Sequence, residues 1–241
     1  MLISVVVPAF NEAKLIAQTL AAIKSACVAF DELGWDWEIV VCDNNSTDRT
    51  AELAREAGAT VVFEPINQIS RARNRGASGA RGDWIIFVDA DSFPSKALFA
   101  ATAKRISSGK CAGGGCLVRL DEKNFMLNLG VSLWTALSLL NRWAAGSYIF
   151  CRADLFREVG GFSTELFASE ELDFSKRFKR LARARGLRFE IIREEKLVTS
   201  ARKIHLYGRR THIRFFFKVL LFHRQIVKNR ERCILWYDGR R

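Results

Sequence analysis

Residues 82–94 read Gly82-Asp83-Trp84-Ile85-Ile86-Phe87-Val88-Asp89-Ala90-Asp91-Ser92-Phe93-Pro94. The five residues from Trp84 to Val88 are all β-branched or aromatic, which is typical of a strand buried on both faces of a parallel sheet. Two carboxylates, Asp89 and Asp91, follow at the strand end, where open α/β sheets bind their ligands. Such a pair can hold a hard divalent cation and, through it, a diphosphate. The alternative is that both aspartates are solvated turn residues before a helix.

The length and the cysteine content limit which classes of protein the sequence can encode. A chain of 241 residues is long enough for one α/β domain with a sizeable core, so we expect residues 1–241 to fold as a single domain. The six cysteines form no Cys-x-x-Cys pair and no metal-ligand spacing with the three histidines. The N-terminus lacks the basic lead-in of a signal peptide. These features predict reduced thiols and a cytoplasmic protein.

Charge is distributed unevenly along the chain. Residues 1–100 contain 9 Lys and Arg against 13 Asp and Glu, whereas residues 101–241 contain 29 against 13. This asymmetry suggests that the second half faces something anionic: phosphates, nucleic acid or an acidic membrane surface.

Two segments of the second half bear on membrane contact. Residues 124–141 carry no charge, but they hold six Asn, Ser or Thr side chains, which favours a buried or membrane-touching helix over a membrane span. A final helix is predicted at about 209–230 and combines cations with a broad apolar face. That combination suits peripheral attachment to an anionic membrane. The alternative is that its phenylalanines cover the core.

Strand and helix patterns alternate through the first half. The predicted strands are Leu2–Val7, Trp37–Val41, Thr60–Phe63 and Asp83–Val88, and a helix follows each of the first three. Asn11 is predicted to cap the first helix, and Ser46 or Thr47 the second. The order β-α-β-α-β-α-β with short connections predicts a parallel, right-handed, doubly wound sheet.

Three polar clusters follow apolar strands in this pattern. They are Pro8–Glu12, Asp43–Asp48 and Asp89–Asp91. Because the carboxyl ends of parallel strands meet at one edge of a sheet, we expect the three clusters to converge on one ligand site. The chain contains no Gly-x-Gly-x-x-Gly or Walker-type glycine loop, so neither a dinucleotide site nor a P-loop is predicted.

An ordered set of motifs runs along nearly the whole chain. The set comprises Val5-Val6-Val7-Pro8-Ala9-Phe10-Asn11-Glu12-Ala13, Asp43 with Asn45-Ser46-Thr47-Asp48, Arg71-Ala72-Arg73-Asn74-Arg75-Gly76-Ala77, Gly82–Asp91, Gly160-Gly161-Phe162, Ser169-Glu170-Glu171-Leu172-Asp173, 199–203 and 236–241. It resembles the inverting nucleotide-sugar glycosyltransferases of family 2, bacterial members included. The resemblance implies the α/β fold called GT-A, with a Rossmann-like, mostly parallel central sheet and helices on both faces. It further implies that residues 1–100 bind the donor and residues 101–241 the acceptor.

The resemblance also implies roles on the donor side. Pro8, Ala9 and Glu12 would line the nucleoside pocket of a UDP-, GDP- or dTDP-linked sugar, and Asp43 would accept a hydrogen bond from the base. The remaining donor contacts would come from Arg71 or Arg73 to the base or a phosphate, Asp89 to the ribose or sugar, and Arg202 to the diphosphate. The Asp89-Ala90-Asp91 sequence corresponds to the family's DXD motif.

The resemblance places the cation and the general base at separate positions. Asp91 would bind Mg²⁺ or Mn²⁺, and His205 would lie near the metal, with a surface role as its alternative. In similar proteins the base that deprotonates the acceptor hydroxyl is the second acid of a Glu-Asp pair at a helix start. Here the pair is Glu170-Glu171, one methylene longer, and we expect Glu171 to be the base. The alternative is that both acids only favour the helix N-terminus.

Two other classes of function remain as alternatives. A nucleotidyltransferase would use a nucleoside triphosphate and release pyrophosphate. A nucleic-acid-binding protein would explain the basic second half, but the cations lack the interleaved stacking aromatics of such proteins, so no nucleic-acid partner is predicted. The acceptor is expected to be a hydroxyl compound, and a lipid-linked one would suit a protein held peripherally at the inner face of the membrane.

Overall fold

The computed structural model describes residues 1–122, 144, 146–202 and 227–233. The strands are β1 (Leu2–Ala9), β2 (Asp36–Asp43), β3 (Thr60–Phe63), β4 (Trp84–Val88), β5 (Ser92–Phe93), β6 (Cys111–Leu120), β7 (Tyr148–Arg152) and β8 (Arg188–Thr199). The α-helices are α1 (Ile16–Asp31), α2 (Thr50–Glu56), α3 (Ile69–Gly79), α4 (Lys96–Ser107), α5 (Ala153–Glu158) and α6 (Glu170–Ala184). A 3₁₀ helix covers Arg230–Cys233.

The eight strands form one sheet in the order β3-β2-β1-β4-β7-β6-β8-β5. The first four run parallel, as the βα pattern predicts. Strand β7 is antiparallel to both β4 and β6, and β8 returns parallel to β6. The sheet is therefore mixed beyond β4, and β7 joins the strands of the two halves of the chain.

Apolar runs in the central strands are buried because helices cover both faces of the sheet. Along β1, Ile3, Val5 and Val7 contribute to the cluster that contains α1 and α4, whereas Val6 contributes to the cluster that contains α5 and α6. A strand covered on both sides has no solvent face and so shows no polar alternation. The prediction of helices on both faces is confirmed.

Two predicted helix caps are wrong. Helix α1 begins at Ile16 rather than next to Asn11, and Asn11 instead adopts a left-handed turn with φ of 52°. Its Oδ1 accepts a hydrogen bond from the Thr47 N–H, so this side chain ties the ends of β1 and β2 together. Helix α2 begins at Thr50, whose N–H donates to Asp48 Oδ1, not to a hydroxyl of residue 46 or 47.

Several predictions fall outside the described residues. They concern the uncharged segment 124–141, His205 and most of the C-terminal helix at 209–230. Strand β8 was not predicted, because its sequence between Arg193 and Lys196 is charged and shows no apolar run. Within the described ranges, no helix is both long and apolar enough to cross a membrane.

Strand β8 approaches β6 closely at a run of three glycines. Gly114 pairs with Phe150 of β7 on one side and with Glu190 of β8 on the other. A Cβ atom at this position would lie 1.8 Å from the Glu190 carbonyl oxygen. Because glycine has no side chain, β6 and β8 can pair at this spacing. The pairing brings the end of β8 close to the turn that follows β4.

We predict that Gly114→Ala destabilises the protein by about 2 kcal/mol or more, because the new methyl group would overlap backbone that cannot move independently. The measurement is urea unfolding followed by circular dichroism. Gly109→Ala is the control, since no atom lies within 4 Å of its Cβ position and only its φ of 66° opposes the change, at about 1 kcal/mol. Equal losses in the two variants would contradict the packing argument.

Candidate active site

Strands β1 and β2 bring the first two polar clusters together. Ala9 pairs directly with Asp43 in the parallel register, and Pro8 pairs with Cys42. All three predicted pocket residues on this edge, Pro8, Ala9 and Asp43, are buried. Asp43 Oδ1 accepts the Ser46 N–H at 3.1 Å, which fixes the carboxylate beside the strand end. The convergence of these clusters at one sheet edge is as predicted.

Asn44 extends this edge towards helix α3. Its Nδ2 donates to the carbonyls of Glu64 and Ile66, and its Oδ1 accepts the Gln68 N–H at 2.9 Å. Arg71, a predicted donor contact, is half-buried, and its Nε donates to Gln68 Oε1 at 3.1 Å. The loop after β3 and the start of α3 are thus fixed to the end of β2.

Strand β8 delivers Arg202 to the same edge. The Ser200 N–H donates to the Asp91 carbonyl at 2.9 Å, so the segment after β8 is bonded to the turn after β4. Arg202 Nη2 forms an ion pair with Glu12 Oε2, and Glu12 is buried. Arg202 Nε and Nη1 are buried and have no hydrogen-bond partner among the described residues. A buried guanidinium with unused donors is suited to an oxyanion such as a diphosphate.

Asp91 carries the candidate metal position. It is 4% exposed and lies one residue before β5, which pairs with β8. Among the described residues, no group of three or more His, Cys, Asp or Glu side chains is arranged to hold a metal ion. One carboxylate at this position nevertheless fits Mg²⁺ or Mn²⁺, because such ions are commonly held by one or two carboxylates together with substrate phosphates.

Arg73 occupies the centre of a buried charge network. Its Nη1 lies 2.6 Å from Glu170 Oε1 and its Nη2 lies 3.2 Å from Asp89 Oδ1. The same Nη2 donates to the Gly146 carbonyl at 2.9 Å, and the guanidinium carbon lies 5.2 Å from the centroid of the Phe162 ring. The side chain of Arg73 is 3% exposed. This arginine therefore connects α3, the end of β4, the turn before β7 and the start of α6.

Glu170 and Glu171 differ in environment although they are adjacent. Glu170 is buried against Arg73, whereas Glu171 is half-buried beside Gly146. Burial and the neighbouring Glu170 carboxylate raise the pKa of Glu171 to about 8. Once ionised, a carboxylate with a raised pKa accepts a proton more strongly than an ordinary glutamate, which suits a general base. The environment therefore favours Glu171 over Glu170 as the base.

Side chains of α3 hold the loop that precedes this pair. Gln68 Nε2 donates to the carbonyls of Thr164 and Leu166, at 2.8 and 2.9 Å. Asn74 bonds to both the N–H and the carbonyl of Phe162. Gly161 adopts a φ of 64°, and a Cβ atom there would lie 2.6 Å from Asn74 Oδ1. These positioning contacts join residues that are far apart in the sequence, so no local pattern predicts them.

A second concave region lies elsewhere on the molecule. A cleft of about 460 Å³ is lined by residues that include Arg81, Asp83, Trp84 and Arg152. It lies at the amino end of β4, opposite the edge that carries Asp43, Asp89 and Asp91. Ligands of parallel α/β sheets bind at the carboxyl edge, so this cleft is not the candidate active site.

The family model described as glycosyl transferase family 2 matches residues 4–158. The chain belongs to glycosyl transferase family 2. The match begins within β1 and ends with α5, so it includes Asp43, Asp89 and Asp91 but not Glu170, Glu171 or Arg202. In eight of its matches to curated proteins, the chain spans between 18% and 60% of the matched protein's length.

Individual relatives agree with membership of family 2. An undecaprenyl-phosphate 4-deoxy-4-formamido-L-arabinose transferase from Edwardsiella ictaluri is 37% identical over 101 residues, which is 37% of this chain and 29% of that protein. TarS of S. aureus in complex with UDP-GlcNAc aligns with a TM-score of 0.64 at 20% identity, covering 83% of this chain and 58% of TarS. The mannosyltransferase PcManGT of Pyrobaculum calidifontis, in complex with GDP-Man and Mn²⁺, aligns with a TM-score of 0.64 at 23% identity, covering 81% and 56%. At such identities the structural likeness supports the GT-A fold.

We predict that Glu171→Gln gains stability relative to the wild type as the pH rises from 4.5 to 8. In this window folded Glu171 retains a proton that the unfolded chain has released, because its pKa is raised from 4.5 to about 8. Folding of the wild type therefore weakens by up to about 1.4 kcal/mol per pH unit, and glutamine removes this dependence. Urea unfolding at half-unit pH steps measures the difference.

Glu52→Gln is the control for the pH series. Its hydrogen bond with Arg49 lowers the pKa of Glu52, so its contribution is complete above pH 4.5. The Glu52→Gln difference should stay flat over the same range. A flat difference for Glu171→Gln as well would show that Glu171 titrates like an exposed carboxyl group.

Proposed function

We propose that the protein is a glycosyltransferase that moves a sugar, with inversion, from a nucleoside-diphosphate sugar to an acceptor hydroxyl. The observation that carries the proposal is the arrangement around Gly146. Its carbonyl accepts from Arg73, which bonds Asp89 at the donor edge, and its Cβ position lies 3.7 Å from the Glu171 carboxyl carbon. A donor carboxylate and a half-buried candidate base therefore flank one turn. This arrangement supports the proposal of a single in-line displacement.

The donor is proposed to bind along the edge from β2 to β4. Asp43 accepts a hydrogen bond from the base, Pro8, Ala9 and Glu12 line the nucleoside pocket, and Arg71 reaches the base or a phosphate. Two buried donors of Arg202 that bond no described residue support a contact with the diphosphate. The bound nucleotides of PcManGT and TarS, GDP-Man and UDP-GlcNAc, support a guanine or uracil donor as the first to test.

A divalent cation, Mg²⁺ or Mn²⁺, is proposed to bind at Asp91, with His205 as a second candidate ligand. When bound, it supplies charge that stabilises the departing diphosphate. Asp89 orients the ribose or the sugar from the neighbouring position. The Mn²⁺ in the PcManGT structure supports manganese as the first ion to test.

The acceptor is proposed to enter on the side of α6, in the half formed by residues 101–241. Glu171 then removes the proton from the attacking hydroxyl as the sugar departs from the diphosphate. A separate base is needed because inversion proceeds in one displacement step, without a glycosyl-enzyme intermediate. Glu170 remains paired with Arg73 throughout.

The acceptor is further proposed to be lipid-linked, with the protein held peripherally at the anionic inner face of a membrane. The undecaprenyl-phosphate transferase among the relatives supports a lipid phosphate. Helix α6 supports contact with an anionic membrane surface, because Lys176, Arg180 and Arg183 are exposed on one side of the helix. All six cysteines are buried and form no disulfide bond, which suits a reducing cytoplasm.

We predict that a UDP- or GDP-sugar together with Mn²⁺ raises the melting temperature, because a ligand that binds only the folded state stabilises it. Asp91→Asn should abolish the metal-dependent part of the shift. Glu171→Gln should keep the donor shift and lower the release of nucleoside diphosphate by about 10²- to 10⁴-fold. The measurements are thermal shift and a coupled diphosphate assay.

Two results would contradict this function. The first is the absence of a shift with every UDP-, GDP- and dTDP-sugar, with and without Mn²⁺. The second is release of pyrophosphate from a nucleoside triphosphate, which would identify a nucleotidyltransferase. Glu52→Gln serves as the matched control, since Glu52 is exposed on α2 and its carboxylate pairs with the Arg49 side chain on the surface.

We predict that the protein co-sediments with vesicles containing anionic lipid and that the triple variant Lys176→Gln, Arg180→Gln, Arg183→Gln weakens this binding. Each cation near the surface contributes about 1 kcal/mol, so the triple variant should weaken binding by about 10²-fold. A second triple variant at exposed Lys24, Arg55 and Lys104, on helices of the opposite face, is the charge-matched control. Equal binding to neutral vesicles would contradict the proposed attachment.

A further inference from the structure

Both terminal nitrogens of Arg73 are bonded within the described part of the protein, although the family resemblance places this residue among the donor contacts. Its two terminal nitrogens bond Glu170, Asp89 and the Gly146 carbonyl, and its face lies against Phe162. Only Nε lacks a hydrogen-bond partner among the described residues, and this atom is buried. A nucleotide phosphate would have to displace one of these carboxylates to reach the guanidinium.

We infer that Arg73 is a positioning residue, whose single guanidinium fixes the strand end that carries Asp89 against the helix start that carries Glu170 and Glu171. This inference rests on the proposed function and assigns Arg73 a different role within it. The planar fork of arginine can bond two carboxylates at a fixed mutual angle, which a lysine ammonium cannot do. By bonding Asp89 and Glu170, Arg73 therefore sets the distance between Asp89, the proposed donor contact, and Glu171, the proposed general base.

The network also acts on the pKa of Glu171. Glu170 lies 2.6 Å from Arg73 and is adjacent to Glu171 on the same helix. The groups that act on Glu171 are Glu170 on the same helix, Arg73 from α3 and Asp89 from the end of β4. Arg73 lowers the pKa of Glu171, whereas the two carboxylates and burial raise it. Removing the guanidinium should therefore raise the pKa of Glu171 further.

The experiment separates donor binding from turnover. For Arg73→Met we expect the dissociation constant of UDP-GlcNAc or GDP-mannose, whichever gives the larger thermal shift, to stay near the wild-type value. The kcat for nucleoside diphosphate release should fall by about 10²-fold, the scale of a misplacement of about 1 Å. Arg75→Met is the control, because Arg75 is an exposed arginine on the same helix that donates to the Phe63 carbonyl.

Two further variants distinguish geometry from charge. Arg73→Lys keeps a cation beside Glu171, so the carboxyl titration followed by ¹³C NMR should stay near that of the wild type, while kcat remains low. Removing Arg73 alone leaves Glu170 buried without a partner and can prevent folding. The double variant Arg73→Met, Glu170→Gln removes both charges, and its kcat should fall no further than that of either single variant.

The inference is overturned if Arg73→Met, or the double variant in its place, raises the donor dissociation constant about tenfold at unchanged kcat, which is the signature of a donor contact. It is also overturned if the pKa of Glu171 does not rise in the single variant Arg73→Met. Failure of the proposed function looks different, because the wild type itself would then neither bind nor cleave a nucleotide-sugar. The NMR titration requires no turnover and tests Arg73 in either case.

Discussion

The antiparallel pairing of β7 with β4 joins the two halves of the molecule. Five residue pairs, from Trp84 with Arg152 to Val88 with Tyr148, place the second half of the chain beside the strand that ends in Asp89. The turn that enters β7 contains Gly146 and Ser147, and the Asp89 N–H donates to the Ser147 carbonyl. Arg73, which bonds both Asp89 and Glu170, also bonds the Gly146 carbonyl of this turn. If this strand ran parallel to β4, the chain would enter it from the opposite edge of the sheet. The turn that contains Gly146 would then not lie beside Asp89.

A buried ion pair usually contributes little net stability, because desolvation of both charges offsets their attraction. The pair formed by Arg73 and Glu170 is better explained by the geometry it imposes. It links α3 to α6 across the sheet edge, and the bonds from Gln68 and Asn74 fix the intervening loop to the same helix. Helix α3 thus acts as the common support of the donor edge and the base.

Local patterns in the sequence predict much of the fold and part of the site. The apolar runs of β1 to β4 predict a doubly wound sheet, because strands covered by helices on both faces show no polar alternation. The convergence of Asp43 and Asp89 follows from strand direction alone. Strand β8 could not be predicted, because its charged sequence becomes a strand through pairing with β6. Nor could the pairing of Arg73 with Glu170, since 97 residues separate them and neither has a local signature.

The central claim is that a nucleotide-sugar and a divalent cation bind at the carboxyl edge of β1, β2 and β4, facing Glu171. A crystal structure with Mn²⁺ and a non-hydrolysable nucleotide-sugar tests it most directly. The account predicts an anomalous Mn²⁺ peak at the Asp91 carboxylate, the nucleobase of the donor at Asp43, and the anomeric carbon between Asp89 and Glu171. Nucleotide bound instead in the cleft at the amino end of β4, beside Arg81 and Arg152, would contradict it.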